Sequence, residues 1–147
     1  AAALAREKAL EVSRRTSLPV LGADQILVCD GEIFSKPADM DQARETLRRL
    51  RGRAHRLISA LCVAENGEVL WTCERHADLV MRDFSDAFLE WYLRTVGEAA
   101  LASVGCYQVE GPGIQLFERI EGDWFTIIGL PLLPFLDWLR RRGILPA

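Results

Sequence analysis

One carboxylate stands in an aliphatic run, for Asp24 lies inside VLGADQILV. An ionised carboxylate loses hydration on burial, so this one has to be paired, metal-bound or used in chemistry, unless it closes a strand end and caps a turn. Lys36 precedes Pro37 in FSKPAD. A residue before proline is steered out of the helical region, which makes Lys36 either a fixed cation or a solvated loop lysine. Lys8 on the first expected helix, and Arg53 and His55 in RGRAHR, add further cationic or ionisable groups. His55 and His76 read as satisfied core or surface histidines before they read as catalysts. Nothing imposes a Ser/His/Asp order, and the chain has no GxxxxGK phosphate loop.

Any anionic ligand of these groups must be held locally, because the 147 residues carry a formal net charge of −3. That balance gives no whole-molecule attraction to a nucleic acid polymer or an anionic membrane. An apolar share of 50 % is enough to bury the core of one domain. The longest strongly apolar stretch, Ile127 to Leu139, is interrupted by Gly129, Pro131, Pro134 and Asp137 and is too short to span a bilayer. The opening AAALAREKAL is charged at Arg6, Glu7 and Lys8 and does not read as a signal peptide, so the expected compartment is the cytosol. Cys29, Cys62, Cys73 and Cys106 lie far apart without metal-site or dithiol spacing, and are expected as reduced, mostly buried thiols.

The elements that must position these residues are legible from period and punctuation. Leu4, Lys8 and Val12 recur at i, i+4 through about Arg15, a helix that reads as already under way at the first residue. VLGADQILVCD is a core strand with a polar intrusion, followed by the hairpin signal Asp30-Gly31. Asp39 caps a helix with Gln42 three places on. Met40, Ala43, Leu47 and Leu50 form its apolar face and Arg44, Arg48 and Arg51 another. HRLISALCVAE and EVLWTCERHADLVMR read as two strands around Asn66-Gly67. Ser85 starts a helix with Phe88, Trp91, Tyr92 and Val96 on one face, stopped by Gly97. Cys106 to Val109 and Ile114 to Ile120 read as short strands around the turn Glu110-Gly111-Pro112-Gly113. Pro131 or Pro134 opens a last helix ending in Arg140, Arg141 and Arg142. No linker or repeat breaks the chain, so the fold class is α/β, or α+β, with a mixed sheet.

LAREKA, LGADQ, DGEIFSKP, RGRAHRLIS and GCYQVEGPGIQLFERIEGDWFTIIGLPL follow one another in an order and spacing that resemble the Maf family over nearly the whole chain. The resemblance implies an elongated α/β fold, a mixed twisted sheet flanked by helices, similar to inosine triphosphate pyrophosphatases. It also implies hydrolysis of a nucleoside triphosphate to monophosphate and pyrophosphate by water attack on the α-phosphorus, with a divalent metal ion, Mg²⁺ or Mn²⁺. Asp24 matches the family's proton acceptor and would also help hold the metal. Lys8 and Lys36 match its two substrate-contacting lysines. A carboxylate beside a triphosphate can orient or deprotonate water, and lysines neutralise charge building on leaving pyrophosphate.

Gln25 and Glu110 match the positions that bear on base choice, where the branch acting on dTTP and UTP usually has threonine and glutamine. Glutamine and glutamate resemble the 7-methyl-GTP branch. Glu110 could accept from a guanine N1–H and amino group and favour a positively charged methylated ring, or it could pair with an arginine at the turn. Two departures stand out: nothing before Ala1 supplies the family's N-terminal strand and Ser- and Arg-containing phosphate loop, and Ser103 occupies a place where many relatives have lysine. One Maf-like domain over residues 1–147 is therefore expected without that loop, with weak or no activity if it is truly missing. A homodimer is expected from the resemblance alone. The other readings are a nucleotide-binding regulator of cell division and septum formation, and a structural fragment without chemistry.

Overall fold

The computed structural model describes all 147 residues. Two tight turns organise its sheet. Asp30-Gly31 and Asn66-Gly67 have φ of 51° and 76°, and of 51° and 78°. Asn, Asp and Gly tolerate this left-handed conformation, and its twist matches that of the flanking strands. The first turn closes β1 (Val20–Cys29) on β2 (Glu32–Phe34), and the second closes β3 (Ala54–Glu65) on β4 (Glu68–Met81). Leu27 stands opposite Phe34, and Cys29 opposite Glu32. A last strand, β5 (Phe117–Glu121), runs antiparallel to β4 with Leu79 opposite Ile120 and a register shift between Val80 and Met81. The sheet order is β2-β1-β3-β4-β5. With its helices it forms the expected mixed α/β architecture.

Two compact units divide the chain. The first comprises Ala1–Gln25, Ile58–His76 and Asp123–Ala147. It contains α1 (Ala2–Ser13), the short α4 (Trp124–Ile127) and α5 (Leu132–Arg141). Ala5, Ala9 and Ser13 form the buried stripe of α1 at every fourth residue, and Ala5 and Ala9 pack with Ala60, Cys62 and Ala64 of β3. Ser13 Oγ also accepts from Gly67 N at 3.1 Å, tying the helix end to the β3–β4 turn. Pro131 precedes α5, and Trp71 stacks on its Trp138 at 5.7 Å between ring centroids.

The second unit comprises Ile26–Leu57 and Ala77–Gly122. Its core includes Leu27, Leu47, Leu50, Leu79, Met81, Leu89 and Leu116, all fully buried. Asp39 caps α2 (Met40–Leu50) by accepting from Gln42 N at 2.8 Å, and Ser85 caps α3 (Asp86–Val96) by accepting from Phe88 N at 3.0 Å. Arginines of α2 and its C-cap meet acids of α3: Arg44 donates to both Glu90 oxygens at 2.6 and 3.2 Å, and the C-cap Arg51 to Asp86 at 2.7 Å.

Three sequence expectations are corrected. Cys106 to Val109 is no strand, because Cys106 takes a left-handed φ of 62° that extended pairing cannot accommodate. Only the second half of the expected strand Ile114 to Ile120 is extended, since Pro112–Leu116 coils into a 3-10 helix. The helical turn α4 was not anticipated. The four thiols are free and three are buried, as expected; burial pushes Cys106 up to about 12. No helix is long and apolar enough to cross a membrane.

His55 is a core residue of the second unit. Its Nε2 lies 2.8 Å from the Tyr107 hydroxyl, and its ring packs beside Tyr107 and Phe117. Burial lowers its pKa to about 4, against a smaller opposing pull from Asp78. A histidine whose folded pKa is depressed binds its proton better in the unfolded chain. Its contribution is therefore complete above about pH 6.5 and is lost as pH falls toward 4, by roughly 3 kcal/mol in total. Urea unfolding of His55→Phe and wild type from pH 7 to pH 4 should show a flatter acid decline in the variant. Parallel declines would disprove the burial of a neutral imidazole.

Candidate active site

Asp24 sits in the first unit, toward the middle of β1, with its side chain only 12 % exposed. Its Oδ1 accepts from Lys8 Nζ at 3.0 Å, and the same ammonium donates to the Ala23 carbonyl at 3.2 Å. The other oxygen, Oδ2, is buried without a hydrogen-bond partner. Lys8 is 55 % exposed, so the pair adds little to stability through a solvent-screened contact. The carboxylate is half satisfied: one oxygen is neutralised, and the other is directed at no protein donor.

That buried, unpartnered oxygen bears on what metal would suit the site. No cluster of three or more His, Cys, Asp or Glu side chains is assembled anywhere in the structure, which rules out an all-protein cage of the zinc type. A hard ion that keeps most of its water and takes further ligands from substrate phosphate needs only one or two carboxylates. Asp24 Oδ2 fits such an ion.

Strand alternation sends the next side chain to the other face. Gln25 Nε2 lies 3.0 Å from Ser59 Oγ, 3.1 Å from the Thr126 carbonyl and 3.0 Å from the Ile127 carbonyl. Ser59 Oγ itself donates to the Thr126 carbonyl at 2.7 Å. Asp123 completes the arrangement as the N-cap of α4, accepting from Thr126 N at 3.0 Å and Thr126 Oγ1 at 3.1 Å. Two carbonyl oxygens define which end of the amide is nitrogen, so the Gln25 donors serve α4 and Oε1 takes no part in these bonds. Sequence reasoning missed Ser59, Asp123 and Thr126. The signals were a lone hydroxyl in the apolar run LISALCV and an Asp three residues before a Thr.

Lys36 and Glu110 belong to the second unit. Lys36 is exposed in the segment between β2 and α2, with Pro37 buried beside it. Glu110 is exposed in the turn where Gly111 N bonds the Gln108 carbonyl at 3.2 Å. Ser103 is a brace and not a cation: its hydroxyl donates to the Tyr107 carbonyl at 2.8 Å and accepts from Tyr107 N at 3.1 Å. Arg53 pairs with Asp30 at 3.1 Å, and His76 is exposed on β4. Of the residues singled out by sequence, Lys8 and Asp24 are thus brought into direct contact, and Gln25 is turned to their opposite face.

The family described as Maf-like protein matches residues 1–142. Among curated proteins, the chain is 51 % identical over 146 residues to a nucleoside triphosphate pyrophosphatase of Granulibacter bethesdensis, covering 99 % of the chain and 74 % of that protein. It is 51 % identical over 140 residues to a 7-methyl-GTP pyrophosphatase of Brucella abortus, covering 95 % and 70 %. A 7-methyl-GTP pyrophosphatase of Mesorhizobium japonicum is 54 % identical over 141 residues, covering 95 % and 71 %.

Removing the Gln25 amide should loosen α4. Gln25→Leu leaves the Ile127 carbonyl without the donor described above, and an unsatisfied buried acceptor costs about 1–3 kcal/mol. Urea unfolding measures it. A change within about 0.5 kcal/mol of wild type, the range of ordinary surface substitutions, would show that the amide bonds are not structural.

Proposed function

Because this chain belongs to the Maf family, we propose that Asp24 and Lys8 are the working pair of its chemistry, with Lys36 as a second phosphate ligand. The protein is a nucleoside triphosphate pyrophosphatase, releasing the monophosphate and pyrophosphate. The observation that carries the residue assignment is the half-satisfied Asp24 carboxylate, paired on one oxygen with Lys8 and buried without a hydrogen-bond partner on the other.

In the proposed reaction a water oxygen bonds to the α-phosphorus while the bond from that phosphorus to the α,β-bridging oxygen breaks. Pyrophosphate leaves with the bridging oxygen and its electron pair. Asp24 Oδ2 takes the proton of the attacking water, a role open to it because no protein donor occupies that atom. A divalent cation, when bound, would polarise the phosphoryl oxygens and screen their charge. Lys8 serves twice. Its ammonium pairs with one oxygen of Asp24, and being half exposed it remains available to phosphate oxygens. Lys36, exposed and restricted by the proline that follows it, is suited to the same task.

For the base we propose a guanine-type ring such as that of 7-methyl-GTP, the substrate named for the Brucella and Mesorhizobium relatives. Glu110 offers carboxylate oxygens from an exposed turn. Gln25, whose donors serve α4, has an oxygen to offer and no spare N–H. Both are acceptors, and guanine presents N–H donors on its Watson–Crick edge. A pyrimidine uracil edge presents fewer.

Pyrophosphate release from a panel of nucleoside triphosphates with Mg²⁺ or Mn²⁺ tests the reading. Asp24→Asn should lower kcat by roughly 10²–10⁴-fold, the usual worth of a positioned general base, with nucleotide binding retained. Lys8→Met should lower kcat/KM, and chelation of the metal should abolish release. Full turnover by Asp24→Asn would remove the carboxylate from the mechanism. Separately, Glu110→Gln should reduce kcat/KM for 7-methyl-GTP more than for UTP; an equal loss on both would leave Glu110 without a part in base selection.

A further inference from the structure

We infer that Gly22 is a positioning residue for the Lys8–Asp24 pair, seating α1 on β1 at backbone contact so that the ammonium is delivered to the carboxylate. The inference rests on the proposed roles of those two residues, and its test separates the two ideas.

Gly22 is buried and does not take a left-handed φ, so its backbone is one that any L residue can adopt. Glycine is required there for space alone. A Cβ at this position would lie 2.4 Å from the Ala5 carbonyl oxygen, 2.8 Å from Ala9 N and 2.9 Å from Ala9 Cβ. Two of these three atoms are helix backbone, which no rotamer change can move aside. Restoring an ordinary contact of 3.4 Å from 2.4 Å means that α1 must withdraw by about 1 Å at this point.

The helix side of the contact is equally small. Ala5 and Ala9 are one turn apart and fully buried, and β3 meets the same stripe with Ala60, Cys62 and Ala64 at alternate positions. Lys8 immediately precedes Ala9, and its Nζ bonds the Ala23 carbonyl and Asp24 Oδ1. Three consecutive residues of β1 therefore act on α1 in turn: Gly22 sets its distance, and Ala23 and Asp24 hold its lysine. Because Asp24 Oδ2 has no other protein partner, the position of the charge on Oδ1 is the local electrostatic input that the protein gives this carboxylate.

The test is a kinetic double-mutant cycle with a reach rescue, measured as pyrophosphate release. Gly22→Ala should lower kcat/KM roughly tenfold to hundredfold, the penalty of about 1 Å of misplacement, while unfolding stays cooperative. In a Lys8→Met background the same substitution should change kcat/KM by less than about threefold, since the group it displaces is already gone. Lys8→Arg, with its longer side chain, should recover much of the loss when combined with Gly22→Ala, judged against Lys8→Arg alone. Multiplying effects in the cycle, no recovery with arginine, or wild-type turnover in Gly22→Ala would each overturn the inference. Should Gly22→Ala not fold, Ala9→Val widens the same gap from the helix side and runs through the same cycle. If neither variant folds, Gly22 is structural only and the inference is wrong. If Lys8→Met and Asp24→Asn leave turnover intact, it is the assignment of the pair that fails, whatever Gly22 does.

Discussion

An ionised carboxylate in an aliphatic strand is the constraint on which the first unit is built. Asp24 has two oxygens to satisfy, and burial away from water makes each of them expensive to leave bare. Lys8 answers one of them from a neighbouring helix. To do so α1 must lie close to β1, and that closeness accounts for an otherwise curious composition. Alanine, glycine and cysteine occupy the helix–sheet contact where larger side chains would bury more apolar area. Apolar burial is forgone there so that a charge can reach its partner.

The neighbouring residue shows how a strand separates two tasks. Side chains alternate, so Asp24 and Gln25 cannot serve the same face of β1. One meets α1, and the other is bonded to α4. The amide of Gln25 is held by Ser59 and two carbonyls, which leaves its donors committed. A residue position associated with base choice is, in this fold, also a structural fastening for a turn of helix more than one hundred residues away in sequence. Substitution there removes a fastening of α4.

The second unit relies on local rules to hold its own helices. Asp39 and Ser85 close the first turns of α2 and α3, and arginines of α2 and its C-cap answer acids of α3. Lys36 and Glu110 are both exposed on segments bounded by such rules, a proline-constrained strand exit and a glycine-rich turn. His55 illustrates the opposite regime: enclosed by Tyr107 and Phe117, it is kept neutral by desolvation.

Sequence by itself determined what depends on neighbours along the chain. Asp24 stood out because a charge in an aliphatic run has few innocent explanations. The helix caps at Asp39 and Ser85 and the turns at Asp30-Gly31 and Asn66-Gly67 follow from side-chain oxygens and left-handed backbone that only a few residue types supply. Where local cues were ambiguous, tertiary structure decided. Cys106 to Val109 has strand-like composition, yet a left-handed Cys106 turns it aside. The partners of Gln25 are Ser59 and the carbonyls of Thr126 and Ile127, and carbonyls carry no residue identity that a sequence could reveal. The reason Gly22 is a glycine is likewise invisible along the chain, because it is the backbone of another element pressed against it. Periodicity and punctuation are local physics; close approach and hydrogen bonding between distant segments exist only once the chain has folded.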